Sequence, residues 1–538
     1  MQNTATIPAP PETNFLSTSH DTKSGGASQH ASSGWSDLWI LLGSALYLLI
    51  SLFRSPSLPV LLSGDQIFFW MDAQRLLRGE RIYLDFFQFT PPGTDLIYLG
   101  AFHLFGPRLW VPNLIVLVLG SALCWVCFRI ARQILPQAQA FFAASLFLVA
   151  LYGKLLNATH HWFSELAVLS AVSLLMTRTS AARIVSAGAL LGIATFFTQT
   201  RGPIAAVAFL LFFAWNRYRT QTSWRSCFQQ VGLLIAPLLI TWLALSSYFI
   251  VTLGWRELWY WQITYTLRHQ VTGAHSLGLP SPLAWRNLPA NIPYLLVYLS
   301  LPFAYGFSLW LAWRERSELP RPEEAPRMLL TLTGLVTALE IAQSPSWLRV
   351  YCVAAPAILL LAWVLHHTGR WQRSLRGVLW IIVLFLMFHQ IRMQRRFLHS
   401  RVHTPAGTTV TFETMAEKLN WIGQHTQPGD FFFQAPWPGV YLPLQLKNPI
   451  FADSFEANDF TRPEFVTDGI RQLNQKRVEY ILWPPRLEQP ESPETSAQYH
   501  LGPFVDFLHE HYQRVATFPD QDEIWQLKST AEVPTSQR

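Results

Sequence analysis

Charged residues are scarce in this chain. Asp, Glu, Lys and Arg make up 14% of its 538 residues, whereas apolar residues make up 50% and the mean hydropathy is +0.20. A soluble protein carries about a quarter charged residues. Repeated apolar runs of roughly 17–25 residues fit transmembrane helices. The composition therefore excludes an ordinary soluble protein and predicts a polytopic α-helical membrane protein.

Cysteine is also rare. The four cysteines are Cys124, Cys127, Cys227 and Cys352, and all lie in or beside predicted spans. Cys124 and Cys127 form a CxxC pair, but no second pair is present to complete a zinc site. We therefore expect these side chains to pack inside the protein. The pattern excludes a disulfide framework.

The excess of basic residues has a topological explanation. The net charge is +7 and the isoelectric point is near 9.3, values that could indicate nucleic-acid binding. Most arginines, however, fall in short connections between apolar runs, where positive charge marks the cytoplasmic side. The predicted partner is thus the lipid bilayer, and no nucleic acid.

Eleven apolar runs are predicted to cross the membrane. They cover about 36–53, 108–130, 138–152, 162–177, 184–199, 203–215, 229–252, 291–312, 328–342, 348–365 and 377–391. The connections after every second run carry two to four arginines each, whereas those after the third, fifth and ninth carry only Lys154, Arg201 and Arg349. The positive-inside rule then places the N-terminus in the cytoplasm and the residues after about 392 outside. The predicted location is the cytoplasmic (inner) membrane.

Composition divides the chain into three parts. Residues 1–34 are rich in Ser, Thr, Pro and Gln and are predicted to be a disordered cytoplasmic leader. Residues 35–395 form the membrane domain, with a first external loop at 54–106. Residues 396–538 are predicted to form an extracytoplasmic α/β domain.

The C-terminal part alternates helical and strand-like stretches. TFETMAEKLNWIGQH and RPEFVTDGIRQLNQK have helical spacing, and FFFQ, VEYILW and EIWQL read as strands. It contains no metal-ligand spacing, nucleophile elbow or phosphate loop. Binding or bracing is therefore its expected role.

The first external loop is the strongest candidate for a site. Between Ser63 and Gly106 it mixes four aspartates with many Phe, Trp and Tyr residues, which prefer the membrane–water boundary. Asp65 opens a helical stretch in which positions 65, 68, 69 and 72 share one face. Carboxylates beside an apolar surface favour chemistry on a lipid-borne substrate.

Three aspartates of this loop also have a structural interpretation. Asp65 could be a helix N-cap, because Asp there accepts a backbone N–H of the first turn. Asp72 could pair with Arg75, three residues further on. Asp85 could be a site residue or an ordinary surface acid.

Several polar residues of other external connections are candidates for substrate binding. They are Lys154, His160, His161, Arg201, Arg256, Arg268 and Arg349, together with Glu165 and Glu340 inside spans near the same face. A lone arginine at a span end often only reaches the interface. Converging arginines would suit a phosphate, because the guanidinium fork matches its oxygens. The two glutamates are functional candidates or partners of these cations.

The first loop, taken with the alternating spans, resembles a known superfamily. The motifs GDQ, GE, DF, PPGT and LFG, followed by further spans and a C-terminal domain, resemble the GT-C polytopic glycosyltransferases. The similarity is greatest to bacterial RgtA/B/C/D-like proteins, relatives of protein O-mannosyltransferases and of the aminoarabinose transferase of lipid A. It covers about 36–400, is specific in the first loop and is diffuse elsewhere.

The resemblance implies a reaction and roles for several residues. A hexose or pentose would pass from a polyprenyl-phosphate donor to a glycan, lipid or protein acceptor on the outer face, in one inverting displacement. Asp65 matches the first member of the family's acidic pair and would be the base, whereas Gln66 replaces the second member. Arg201 would lead the cations at the leaving phosphate, and the aromatic segment 255–265 could hold the lipid or the sugar ring. With Gln66 in place of an acid, we predict no metal and no other cofactor.

Two other classes of protein fit parts of this pattern. A transporter or flippase of lipid-linked sugars would also have many spans with intramembrane acids, but transporters often show internal repeats. The sequence shows no repeat. A non-catalytic scaffold would not need the acidic aromatic loop.

Overall fold

The computed structural model describes residues 25–269, 284–318, 321–343, 345–367, 372–490 and 493–528. Most of the predicted leader, part of the 253–290 connection and the last residues after 528 therefore lie outside the described residues. The described chain is mostly helical, with a smaller α/β part formed by residues 400–528.

The helices of the membrane part and its external loop come first. They are α1 (Gly25–Leu52), α2 (Gln66–Leu77), α3 (Gly93–Phe105), α4 (Trp110–Ala131), α5 (Gln137–Phe147), α6 (Gly153–Leu155), α7 (His160–Thr177), α8 (Ala181–Phe197), α9 (Arg201–Thr220), α10 (Trp224–Leu253), α11 (Trp255–Trp259), α12 (Thr266–His269), α13 (Leu288–Arg314), α14 (Glu324–Glu340), α15 (Trp347–Val353), α16 (Ala355–His366) and α17 (Gln372–Phe397). Two π-helical turns, Leu148–Tyr152 and Tyr260–Tyr265, lie in this series.

The C-terminal part adds four helices and most of the strands. The helices are α18 (Glu413–His425), α19 (Tyr441–Leu444), α20 (Pro463–Lys476) and α21 (Gly502–His511). The strands of the whole chain are β1 (Phe53–Ser55), β2 (Leu58–Pro59), β3 (Ser400–Thr404), β4 (Gly407–Thr411), β5 (Phe433–Gln434), β6 (Tyr480–Trp483), β7 (Tyr512–Thr517) and β8 (Glu523–Leu527). β1–β2 and β3–β4 are antiparallel pairs, and the third sheet has the order β5-β6-β8-β7 with only β5 and β6 parallel.

The protein is a multi-pass membrane protein. Among the described residues, six stretches are long and apolar enough to cross a bilayer: Gly34–Leu52, Trp110–Ala131, Gln137–Leu155, Trp224–Leu253, Trp285–Ser317 and Arg373–Phe397. The bent pair α15–α16, with an angle of 54°, would add a seventh. A helix occurs at each of the eleven predicted runs, but several are short, so the count of eleven spans stays a prediction.

The first helix and the predicted leader overlap. The first helix begins at Gly25, so residues 25–34 are helical rather than disordered. The helical and strand-like stretches predicted for the C-terminal part are α18, β5, α20, β6 and β8. The hairpin β3–β4 and strand β7 were not predicted.

The first external loop is held between the helices and the C-terminal α/β part. The N–H of Leu61 donates to the carbonyl of Val410 (2.9 Å), and the N–H of Phe87 donates to the carbonyl of Phe451 (2.9 Å). Phe87 packs into the core of the α/β part, and Met71 packs into a second cluster there. Burial of such side chains stabilises the folded protein by roughly 1.5–3 kcal/mol each. The first external loop therefore connects the helices to the C-terminal α/β part.

The connections predicted to be external meet at one end of the helices. Thr198 Oγ1 donates to the carbonyl of His160 (3.2 Å), and Gln199 Nε2 donates to the carbonyl of Gln262 (2.9 Å). Arginine-rich connections meet one another elsewhere, since Arg219 forms a buried ion pair with Glu324 at 2.8 Å. The sorting of the connections into two groups therefore agrees with the charge pattern.

Two glycines let α8 lie directly on α10. A Cβ built at Gly188 would lie 2.2 Å from the carbonyl oxygen of Leu234, and one at Gly192 would lie 2.6 Å from that of Leu238. Their spacing is that of a GxxxG contact, which allows close backbone approach in membranes. We expect Gly188→Ala to destabilise the protein by about 1–3 kcal/mol through overpacking.

The thermal unfolding midpoint of the detergent-solubilised protein measures this effect. Gly232→Ala is the matched control, because a Cβ at this α10 glycine would meet nothing within 4 Å. Equal midpoints for the two variants would contradict close packing of α8 on α10.

Candidate active site

A cavity of about 230 Å³ opens where the first external loop faces the C-terminal α/β part. Its lining combines aromatic side chains, among them Phe68 and Phe69, with Asp65, His160 and Arg349. Asp65 lies at the start of α2, so the next residues on its helical face line the same space. We call this space the Asp65 cavity. It brings together three residues that the sequence placed in separate connections.

The carboxylate of Asp65 is available for chemistry. Asp65 lies directly before α2, and its own backbone dihedral angles are helical. Its side chain makes no capping hydrogen bond. The alternative interpretation of Asp65 as a side-chain cap is therefore wrong. Partial burial raises the pKa of the Asp65 carboxyl above its usual range, while the positive charge of Arg349 acts in the opposite direction. A carboxylate with a raised pKa is a stronger base than an exposed one.

The cations of the site are arranged differently from the expectation. Arg349, at the start of α15, lines the cavity, whereas Arg201 does not. Arg201 is 1% exposed and pairs with Glu340 at 3.0 Å (Nη1 to Oε2). It lies close enough to Arg349 and His160 to act on them electrostatically. Arg349, and not Arg201, therefore shares the cavity with Asp65, and Glu340 pairs with a cation as the sequence predicted.

The remaining membrane-side candidates lie on α6 and α7. His161 is buried and its ring lies 3.9 Å from that of His160. Glu165 is buried one turn further along α7, near Arg201 and Glu340. Lys154 is half-buried, with its ammonium 5.4 Å from the ring centre of Tyr294, and does not line the cavity. Of these three, only the histidine and the glutamate adjoin the Arg201 region.

Asp72 lies beneath the cavity in a cluster of buried acids. It is fully buried and accepts a hydrogen bond from Gln88 Nε2 (3.1 Å). Arg75 pairs with Glu80 (2.7 Å) rather than with Asp72, so the predicted Asp72–Arg75 ion pair was wrong. The carboxyl groups of Asp95 and Asp453 lie within hydrogen-bonding reach of Asp72. This cluster joins α2, α3 and the C-terminal part.

The close approach of these three buried carboxyl groups affects their pKa values. Burial first, and mutual repulsion second, raise the pKa of Asp72 and Asp95 well above the usual range. Burial also raises the pKa of Asp453 to about 7. Both effects favour the protonated form of these carboxyl groups, and a protonated carboxyl can donate a hydrogen bond to a neighbouring one. The cluster is a carboxylic-acid link between the loop and the α/β part.

This link predicts a pH-dependent stability. Because the pKa of Asp453 is higher in the folded state than its ordinary 3.8, the folded protein binds more protons, and its stability is lost as the pH rises through about 7. We expect the thermal midpoint to fall by roughly 5 °C between pH 5 and pH 8. Asp453→Asn, which supplies a permanent donor, should flatten that slope.

The pH slope is measured by thermal unfolding of the full chain in one detergent. The exposed Asp506→Asn is the control and should keep the slope of the natural protein. A slope unchanged by Asp453→Asn would exclude the carboxylic-acid link.

Three predicted residues lie elsewhere. Asp85 pairs with Arg81 at 2.9 Å, and this partner lowers the pKa of Asp85. Asp85 does not line the cavity. Arg256 in α11 and Arg268 in α12 are exposed. The structure thus brings none of the three into contact with Asp65.

The two ends of the aromatic segment 255–265 differ in their exposure. Tyr265 is fully buried against the α/β part, where its hydroxyl donates to the carbonyl of Phe460 (2.8 Å). Trp255 and Trp259 stay about half exposed and line a separate apolar cavity of about 220 Å³ with Trp242. Only the tryptophan half of the segment is therefore free to meet lipid.

Sequence reasoning missed the contribution of the C-terminal part. Asp453, Glu456 and Trp437 all line the Asp65 cavity. Asp453 and Glu456 lie in the stretch FADSFEAND, whose acids have no spacing that distinguishes them from surface residues. Only the docking of this part against α2 places them beside Asp65.

The arrangement can support proton transfer next to a negatively charged group. Asp65 can accept a proton, and Arg349 can stabilise negative charge that develops in the same space. The aromatic part of the wall lowers the local polarity, which strengthens both interactions. Such a cavity suits an amphipathic substrate with a polar, charged head.

No family model and no curated protein matches the sequence. The fold, however, is that of the GT-C glycosyltransferases. ArnT from Cupriavidus metallidurans, solved bound to undecaprenyl phosphate, superposes with a TM-score of 0.57 at 14% identity, covering 93% of this chain and 99% of that one. The oligosaccharyltransferase AglB from Archaeoglobus fulgidus, solved with an inhibitory peptide and a dolichol-phosphate, gives 0.51 at 12% identity, covering 94% and 75%. The predicted GT-C resemblance is thereby confirmed at the level of the fold.

Proposed function

We propose that this protein is a membrane glycosyltransferase that moves a sugar from a polyprenyl-phosphate donor to an acceptor hydroxyl on the outer face of the cytoplasmic membrane. The observation that carries the proposal is the shared cavity of Asp65 and Arg349 on a GT-C fold. The binding of undecaprenyl phosphate to ArnT and of dolichol-phosphate to AglB supports a lipid-phosphate donor. The sorting of arginines among the connections supports the external site.

The reaction is a single displacement. Asp65 takes the proton of the acceptor hydroxyl as its oxygen attacks the anomeric carbon. The bond from that carbon to the phosphate oxygen breaks, and polyprenyl phosphate leaves with the electron pair. Arg349 stabilises the negative charge on the departing phosphate. The new glycosidic bond has inverted configuration, and no metal is required.

The buried residues behind the cavity have supporting roles in this scheme. Arg201 and Glu340 form a pair that fixes the ends of α9 and α14 next to the cavity. Arg201 also adds positive potential toward Arg349 and the phosphate. His160, at the start of α7, forms part of the wall beside Phe69, whose ring lies 5.7 Å away.

A transfer assay with a panel of lipid donors tests the proposal. The purified full chain is reconstituted in liposomes with radiolabelled undecaprenyl phosphate-linked hexoses and pentoses and a delipidated cell-envelope extract as acceptor. We expect label to move from the lipid to the acceptor, and undecaprenyl phosphate to be released. Movement of the intact lipid-linked sugar across the bilayer without bond cleavage would favour the flippase instead. If neither sugar transfer nor movement of the lipid-linked sugar is observed, both the transferase and the flippase are excluded.

A further inference from the structure

Trp437 is the point at which three cavities meet. It lines the Asp65 cavity, a cleft of about 370 Å³ that also contains Lys418, and a cleft of about 500 Å³ that also contains Arg486. We call the last two the Lys418 cleft and the Arg486 cleft. The indole is 44% exposed, and its ring centre lies 5.6 Å from that of Phe68 on α2. A half-exposed indole face thus borders all three spaces, which we together call the Trp437 path.

The path beyond Trp437 is lined by paired charges. Buried Lys418 donates to Asp522 Oδ2 (2.6 Å), and Arg486 donates to Asp522 Oδ1 (3.3 Å). The side chain of Arg486 remains 58% exposed and lines both clefts. Glu456 and Gln489 add acceptor and donor groups to the Arg486 cleft. Closely spaced donors and acceptors match sugar hydroxyls, which both donate and accept.

The backbone next to Trp437 argues against a peptide in this path. A peptide that adds a strand needs a free sheet edge. At the edge strand β5, the N–H of Gln434 donates to the hydroxyl of Tyr441 (3.1 Å), and the carbonyl of Gln434 accepts from Ser454 Oγ (3.1 Å). The N–H of Ala435 already donates to Leu482 (3.2 Å). This edge is therefore closed by the protein itself.

A lipid chain fits the path no better. The exposed Arg486 side chain and the partly exposed Glu456 would have to lose water against hydrocarbon without new partners, which is unfavourable. The apolar cavity lined by Trp242 offers such a chain a drier surface. The clefts around Trp437 suit a polar ligand with one apolar face.

We propose that the acceptor is a carbohydrate, and that Trp437 is its binding platform, with Arg486 and Asp522 holding the sugar units beyond it. A pyranose ring presents an apolar face of C–H groups to an aromatic ring and directs its hydroxyls sideways to polar groups. The terminal hydroxyl then reaches Asp65 while the preceding units lie over the indole. The inference deepens the proposed function and rests on it for the role of Asp65.

Direct binding tests the platform without requiring transfer. Saturation-transfer NMR measures binding of a panel of soluble tri- to hexasaccharides, neutral and uronic-acid-containing, to the detergent-solubilised full chain. We expect at least one oligosaccharide to bind, and Trp437→Ala to weaken its binding roughly tenfold. Trp437→Phe should recover part of the affinity, and Arg486→Gln should weaken binding independently.

The matched control is Trp421→Ala. Trp421 lies in the same α/β part, stacks on His425 at 3.8 Å, and lines none of these three cavities. If Trp437→Ala and Trp421→Ala weaken saccharide binding equally, Trp437 is not the binding platform. Absence of saccharide binding, or Trp437-dependent binding of an unglycosylated peptide pool, would overturn the carbohydrate assignment.

A second measurement separates this inference from the proposed function. Binding of undecaprenyl phosphate, followed by native mass spectrometry, should be unchanged in Trp437→Ala. Loss of saccharide binding alone supports the platform even if no donor sugar is found. If transfer occurs but the product is protease-sensitive protein, the proposed function stands and the carbohydrate inference fails. Partition of a labelled product into water or organic solvent distinguishes a free glycan from a glycolipid head group.

Discussion

Asp65→Asn is expected to lower kcat for sugar transfer by about 10²–10⁴-fold, the usual contribution of a positioned general base. Asparagine keeps the shape of the side chain but cannot accept the hydroxyl proton. Because Asp65 makes no capping hydrogen bond, the substitution removes no contact that starts α2. The thermal midpoint and the affinity for undecaprenyl phosphate should therefore stay within error of the natural protein.

Initial-rate kinetics with a saturating lipid donor measure this effect. Asp506→Asn removes an equal charge from an exposed site in α21 and should leave kcat unchanged. Activity of the natural protein should also fall as the pH drops through the raised pKa of Asp65, because only the ionised carboxylate acts as a base. Transfer by Asp65→Asn at the natural rate would remove Asp65 from the mechanism.

Arg75→Ala is expected to give the largest loss of stability, about 3–5 kcal/mol, because it leaves buried partners of a charge unpaired. The guanidinium of Arg75 is buried and pairs with Glu80. It also donates to the carbonyls of Ile450 and Asp85, both at 3.0 Å. The bond to Ile450 joins α2 to the C-terminal part, and the other two hold the first external loop around Arg75. Their loss should release the wall of the Asp65 cavity and lower activity at temperatures where the membrane helices remain folded.

Arg78→Ala is the matched control for this change. Arg78 also pairs with Glu80, at 3.3 Å, but its side chain is 28% exposed. Exposed ion pairs are worth about 0–1 kcal/mol. Limited proteolysis and thermal unfolding should show early release of the α/β part in Arg75→Ala alone. Equal behaviour of the two variants would mean that Arg75 does not hold the parts together.

The position of the candidate site could be predicted from the sequence. A carboxylate just after the first apolar run, surrounded by aromatic residues, marks an interfacial site because apolar length and charge distribution constrain where a membrane segment can lie. The cavity beside Asp65 and its available carboxylate agree with that prediction. The pairing of Glu340 with a cation was also foreseen, because an intramembrane acid needs a partner.

The assignment of the arginines could not come from the sequence. Arg201 and Arg349 look alike as single charges near span ends. Which of them faces the cavity depends on the bend between α15 and α16 and on the approach of α14 to α9. Contacts of this kind join residues more than a hundred positions apart, as in the Arg201–Glu340 pair. Local periodicity carries no information about them.

The sequence by itself determined that this is a polytopic membrane protein, that its connections fall into two groups, and that Asp65 is the candidate base. Hydrophobic length, charge placement and helical periodicity are local properties, so a single chain reveals them. Only the tertiary structure decided that Arg349 shares the space of Asp65, that Asp72 joins buried acids instead of Arg75, and that Trp437 lines the same cavity. Those relations depend on how the C-terminal part docks against α2, and docking depends on shape and burial across the whole fold.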